Sequence, residues 1–187
     1  MSEGRKPLLD QVLRNRIYAS VYWKRDLFAA TAETVLQHAA RLRYIGTTYG
    51  PFNKPTKFLC LLLKLFHIAP APETLFAFLS SKKLKYLVVL ALFYVRFVVR
   101  AEKVYPTLED FLPDYRKIVV RDRRGKFELL HVDEIVESLL SEERILGVPL
   151  PRLTSRKQLV AEGLIGPRVS PLALQGELSG AEEASCD

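Results

Sequence analysis

The chain has 187 residues, 49% of them hydrophobic and 26% charged, with 28 Lys and Arg against 21 Asp and Glu for a formal net charge of +7. That length suits one domain with a sizeable core, and the apolar fraction excludes a chain too polar to fold. The positive balance favours acidic partners (nucleic acid, anionic lipid or acidic protein segments) without choosing among them, while a cysteine complement of Cys60 and Cys186 alone excludes a disulfide framework and fits a reducing compartment.

In chain order, the opening MSEGRKPLLD lacks a signal-type apolar stretch. Leu8, Leu9, Val12 and Leu13 share one face of a helix expected over 8–15, with Pro7 in its first turn. A longer helix is expected over 27–45, capped by Asp26 and closed by Gly46. Residues 46–55 read as a loop, since Gly50, Pro51 and Asn53 break regular structure. Helices follow over 56–67 and 73–79, then a long central helix over 82–103 that is apolar nearly all round, as a helix covered on several sides must be. Its uncharged run over 86–95 falls short of the roughly 20 residues a membrane span needs. Lys82, Lys83 and Lys85 precede it and Arg96 and Arg100 follow, so a core helix is expected and no membrane partner.

Thr107–Asp110 has the form of a capping box opening a short helix that Pro113 stops. The period then changes. Residues 115–121 and 126–130 are β-rich and flank Asp122-Arg123-Arg124-Gly125, which reads as a hairpin. Helical spacing returns over 132–141. Beyond Gly147, Pro149, Pro151, Pro167 and Pro171 indicate an extended strap with one short helix over 155–162. The expected architecture is mainly α: a single compact multi-helix domain over 1–170 with one small β-hairpin near 115–130, then an acidic, disordered tail over 171–187. Phe58, Leu62, Leu90, Phe93 and Leu139 are the expected core.

No catalytic set emerges, and no cofactor or metal site is expected. His38, His67 and His131 lack a second ligand at metal spacing. Gly46, Gly50 and Gly125 are isolated, so no phosphate loop is present, and no Ser has the context of a nucleophile elbow. Cys60, among Phe58, Leu59, Leu61 and Leu62, suits a core position better than a reactive thiolate. His131 beside Asp133 and Glu134 is the least poor acid–base candidate, yet acidic residues at a helix start ordinarily serve capping and the helix dipole. Basic residues interleaved with aromatics are more prominent: Arg14, Arg16, Tyr18, Tyr22, Trp23, Lys24 and Arg25 near the start, and Arg116, Lys117, Arg121, Arg123, Arg124 and Lys126 around the hairpin. The hairpin cations suit phosphates. Tyr18, Tyr22 and Trp23 suit packing between the first helices more than stacking on bases.

A series of segments resembles the pre-mRNA splicing factor 38 family in order and spacing: RNRIYASVYWK from Arg14, TAETV from Thr31, LRYIGTTYG from Leu42, NKPTKFLCLLLK from Asn53, KYLVVLALFYVR from Lys85, DYRKI from Asp114, GKFELLHVDEIVESLL from Gly125, PRLTSR from Pro151 and PRVS from Pro167. The resemblance implies a nuclear, non-catalytic scaffold of pre-mRNA splicing. It would associate with the U4/U6·U5 tri-snRNP in the pre-catalytic spliceosome and be needed for its activation. The implied partners are disordered or helical peptide segments of other spliceosomal proteins and the large U5 scaffold protein, with the domain a monomer outside the assembly. Arg14, Arg16, Trp23, Lys24, Asn53, Lys54, Arg116, Lys117 and Glu128 are the partner-binding candidates. The alternative is direct RNA binding, to U6 or U4/U6 RNA, through Arg121, Arg123, Arg124 and Lys126. The sequence departs from the family at TTYGPFN (Thr47 to Asn53), at Pro113, and in showing no long Arg/Ser-rich extension, so contacts at those places do not carry over.

Overall fold

The computed structural model describes residues 9–168; the expected tail over 171–187 and the Pro7 start of the first helix lie outside the described residues. Its centre is helix α5, Lys85–Val98, whose residues from Leu87 to Phe97 are all buried. Apolar side chains on every face leave no side for water, so other helices must cover it. To define them in chain order, α1 is Gln11–Ala19, α2 Ala32–Ala40, α3 Lys57–Ile68, α4 Pro72–Leu79, α6 Ala101–Glu109, α7 Val132–Ser141 and α8 Arg156–Ala161. Of these, α2, α3, α4, α6 and α7 pack directly on α5. Phe58 of α3 meets Phe93 of α5 edge-on at 5.2 Å between centroids, an arrangement aromatic quadrupoles favour. Phe58, Leu62, Leu90, Phe93 and Leu139 are all buried, as expected. No helix among the described residues is long and apolar enough to cross a membrane.

The cations flanking α5 take unequal roles. Arg96 is buried, and its Nε donates to the Leu139 carbonyl near the end of α7 at 2.8 Å. Burial lowers its pKa. In α3, the Lys64 ammonium reaches the Phe28 carbonyl at 2.9 Å.

The mainly helical fold agrees with the sequence, with several boundaries corrected. The helix expected over 27–45 does not form as one piece. A π-helical turn covers Trp23–Leu27, and α2 begins only after Thr31, whose hydroxyl caps it by accepting from the Thr34 N–H. Asp26 instead pairs with Arg25 at 2.9 Å. The helix ends at Ala40, because Ile45 is recruited into backbone pairing: its N–H donates to Val119 and its carbonyl accepts from Arg121. Gly46 is required at this crossing and not as a helix cap, since a Cβ there would sit 2.7 Å from the Arg121 carbonyl oxygen. The central helix, expected over 82–103, breaks at extended Val99 and Arg100. The bend returns Val104 and Leu108 of α6 to the core. Thr107 therefore lies inside α6 and caps nothing; the helix tolerates Pro106, and the Pro106 carbonyl accepts from Asp110 downstream.

The expected hairpin forms from β3, Lys117–Arg121, and β4, Phe127–His131. Its register pairs Lys117 with His131 and Arg121 with Phe127. Two further antiparallel pairs were not legible, since two-residue strands carry no period. In the segment expected to be a loop, β1 (Thr48–Tyr49) pairs with β2 (Lys54–Pro55). Farther on, β5 (Arg144–Ile145) pairs with β6 (Val148–Pro149) across Leu146 and Gly147, both at positive φ (50 and 83), the geometry a two-residue hairpin loop requires. A Cβ on Gly147 would lie 2.7 Å from Arg123 Nε.

Asp114 grips Arg116 through Nε at 2.8 Å, while Arg116 Nη1 donates to the Lys82 carbonyl, also at 2.8 Å. Burial opposes the Asp114 charge, but the hydrogen bonds and charge of Arg116 outweigh it and hold the carboxyl below its ordinary value. The contribution is full above the unfolded value of about 3.9 and is lost as pH falls through the lower folded value. Arg116→Met should flatten that part of the acid limb in urea-denaturation profiles taken against pH. Leu90→Ala should cost about 2–5 kcal/mol, measured by urea denaturation at neutral pH.

Candidate docking groove

The end of α1, the residues that follow it and the β1–β2 turn enclose an open groove of about 700 Å³. Tyr22, Tyr44, Tyr49 and Phe52 supply its aromatic surface, and its lining cations are Arg16, Lys54 and Lys57, with no carboxylate among the lining residues. Phe52, at the turn tip, is 89% exposed and Val21, also in the lining, 73% exposed. Isolated apolar residues at a surface are ordinary, but two exposed ones in the lining of one aromatic trough mark an interaction surface.

The turn is built to hold this shape. Asn53 adopts φ 47 and Gly50 φ 72, values that Asn and Gly accept at least cost. Asn53 N–H closes the turn on the Gly50 carbonyl at 3.0 Å, and Gly50 N–H donates to the Arg123 carbonyl at 3.0 Å. Thr56 donates to the Gly46 carbonyl at 2.6 Å and accepts from Leu59 N–H, so it caps α3 where the turn ends. Arg121 lies over the Tyr49 ring at 3.7 Å, with Phe127 at 5.0 Å and Tyr44 at 5.6 Å. Its cation–π contacts clamp the hairpin to the groove wall.

The sequence candidates separate in this frame. Arg16 and Lys54 line the groove, and Asn53 shapes its turn. Lys24, Lys117 and Glu128 are exposed away from it. Arg14 bonds Gln11 on its own helix, and its Nε is buried without a hydrogen-bond partner. Trp23 is buried, edge-on to Tyr18 at 5.2 Å and His67 at 5.5 Å. Burial, then the charges of Lys64 and Arg14, lower the His67 pKa. Arg116 is engaged by Asp114, and Arg121 by the aromatic rings. Arg123, Arg124 and Lys126 are exposed at the hairpin tip. Tyr44, Tyr49 and Phe52 were not singled out from the sequence; their only signal was aromatic residues inside a turn-rich segment.

Of the acid–base candidates, His131 and Glu134 pair with each other, while Asp133 Oδ1 is buried without a hydrogen-bond partner. Glu134 accepts from the His131 backbone N–H at 2.6 Å and lies 3.3 Å from Nδ1, closing the start of α7. Burial pushes the Cys60 thiol up to about 12, which leaves it protonated at neutral pH. No group of His, Cys, Asp and Glu among the described residues could hold a metal ion. A second groove, of about 430 Å³, runs between α4, α5 and α6 past Leu75, Phe76 and Phe111.

The fold and grooves define a helical domain with open, preformed surfaces suited to chain segments. Comparison with known proteins gives its family. The PRP38 family model matches residues 2–163, and the chain belongs to that family. It is 44% identical over 165 residues to pre-mRNA-splicing factor 38A of Xenopus tropicalis, covering 88% of this chain and 53% of that protein. The Homo sapiens pre-mRNA-splicing factor 38A is 42% identical over the same coverage. The chain thus spans about half the length of the curated relatives it matches. A chain in the crystal structure of the Snu23–Prp38–MFAP1(217-258) complex of Chaetomium thermophilum superposes with a TM-score of 0.85 at 33% identity, covering 96% of this chain and 94% of that one.

Arg121→Ala should destabilise the domain by about 1–2 kcal/mol, the range of desolvated cation–π contacts, as read by urea denaturation. Hydrogen exchange at the Gly50 amide should quicken, since that bond closes the same corner.

Proposed function

We propose that this domain is a non-catalytic docking protein of the nuclear spliceosome that holds peptide segments of other splicing proteins. The observation that carries this reading is the preformed aromatic groove beside the β1–β2 turn, in a chain of the PRP38 family whose solved structural neighbour is a complex with Snu23 and an MFAP1 segment. A helix laid along the groove would bury Phe52 and Val21 and meet Arg16, Lys54 and Lys57 at the rim. Aromatic anchors inside a polar rim concentrate binding energy. Family membership also supports association with the U4/U6·U5 tri-snRNP, proximity to the large U5 scaffold protein and a part in activation. The structural partners of His131, Glu134 and Cys60 support a role without catalysis.

A second reading, direct contact with U6 or U4/U6 RNA, is favoured by the exposed Arg123, Arg124 and Lys126 at the hairpin tip. Arg121 contributes less to it, since its guanidinium faces aromatic rings.

Titrating the full chain with the Chaetomium MFAP1 217–258 segment and with Snu23 separates these readings. At least one should bind, and Phe52→Ala should weaken that binding about tenfold, about 1.4 kcal/mol, without changing thermal stability. Failure of both proteins to bind, with U6 RNA binding in a strongly salt-dependent way, would favour the RNA reading.

A further inference from the structure

The hairpin's two edges are treated differently. Bonds from Asp122 N–H to Lys126 and from Val132 N–H to Arg116 set the phase of the ladder. With the observed register, Ile118 faces Leu130 and Val120 faces Glu128 as hydrogen-bonded pairs, because such pairs alternate in an antiparallel ladder. The backbone groups of Lys117, Val119 and Arg121 therefore point away from β4, and those of Phe127, Leu129 and His131 point away from β3.

Every one of those positions on β3 is covered. Val119 O and Arg121 N–H bond to Ile45, Val119 N–H reaches Tyr86 Oη, and Lys117 O accepts from Lys85 Nζ. On β4, His131 N–H is taken by Glu134. The outward groups of Phe127 and Leu129 meet no strand among the described residues. Natural edges are ordinarily blocked by proline, a bulge or an inward charge. The register here runs without a bulge, β4 contains no proline, and Phe127 and Leu129 are 58% and 55% exposed.

We propose that β4 is a second docking site, adjoining the groove wall where Phe127 meets Tyr44, which accepts an extended partner segment as an added strand. Leu129 N–H and carbonyl would supply the central pair of backbone bonds, with apolar partner residues beside Phe127 and Leu129. Charge selects the occupant. Lys126 and Arg124 stand at the start of the strand and Lys117 on its outer face, against Glu128 alone within β4. Two copies of a chain carrying +7 repel each other. The segment that fits is therefore an acidic one, alternating apolar residues with Asp or Glu.

Leu129→Pro deletes only an outward N–H and spares the ladder, a place where an edge strand tolerates proline. Leu129→Glu keeps the backbone and sets a negative charge on the edge against an acidic segment. Selecting a phage library of random linear peptides on the full chain should enrich acidic, alternating sequences. These should bind either variant at least about tenfold more weakly and slow exchange of the Leu129 amide in NMR. If Leu129→Pro fails to fold, Leu129→Glu decides. The proposal is overturned if no such peptide is enriched, if the enriched peptides bind Leu129→Glu as well as the unaltered chain, or if the Leu129 amide becomes protected through self-association alone.

Discussion

Burial of α5 on every side is the constraint from which the other elements take their places. Each fully buried Val, Leu or Phe on it contributes about 1.5–3 kcal/mol relative to exposure, and these residues occupy all its faces from Leu87 to Phe97. A helix of this kind is stable only inside a shell, so α2, α3, α4, α6 and α7 are held at fixed positions around it. The shell explains the break at Val99 and Arg100: a straight continuation of α5 would carry Val104 and Leu108 away from the core they fill. It also explains the buried cations. Lys64 and Arg96 lie where the shell closes and are satisfied by carbonyl oxygens of Phe28 and Leu139, which offsets much of the cost of desolvating them.

The candidate docking surfaces lie at the margin of this shell. Ile118 and Val120 turn the inner face of the β3–β4 hairpin into the core, and the hairpin and the β1–β2 turn are joined at its margin through Ile45, Gly46 and Arg121. Arg121 binds Ile45 by its backbone and Tyr49 by its guanidinium, so one residue fixes strand pairing and groove shape together. A groove held in this way before binding loses little ordering entropy when a segment enters. Preorganised grooves and an open strand edge suit the proposed role of a PRP38-family domain that receives chain segments.

The basic residues divide by the same logic. Those whose charges meet a carboxylate or an aromatic ring, such as Arg116 and Arg121, hold elements together. Those that project without such partners, such as Lys54, Arg124 and Lys126, stay available. A positive net charge is thus not one property of this surface. Part of it is internal bracing, and part is a field that favours acidic segments near the groove and the hairpin.

The sequence by itself determined the mainly helical class, the buried central helix, the hairpin near residues 115–130 and the family. Period, apolar runs and motif order are local in the chain, and each survives without knowledge of its neighbours. It also identified Arg16, Asn53 and Lys54, which line or shape the groove, though without the groove itself. Only the tertiary structure decided that the helix expected to reach Ile45 stops at Ala40, since Ile45 pairs with Val119 and Arg121 far along the chain. It alone decided that Trp23 is buried while Phe52 is exposed, that Arg121 faces rings, and that β3 is covered while β4 is open. Exposure and partnership are properties of pairs of distant residues, and no local pattern in the chain encodes which member of a pair will meet which.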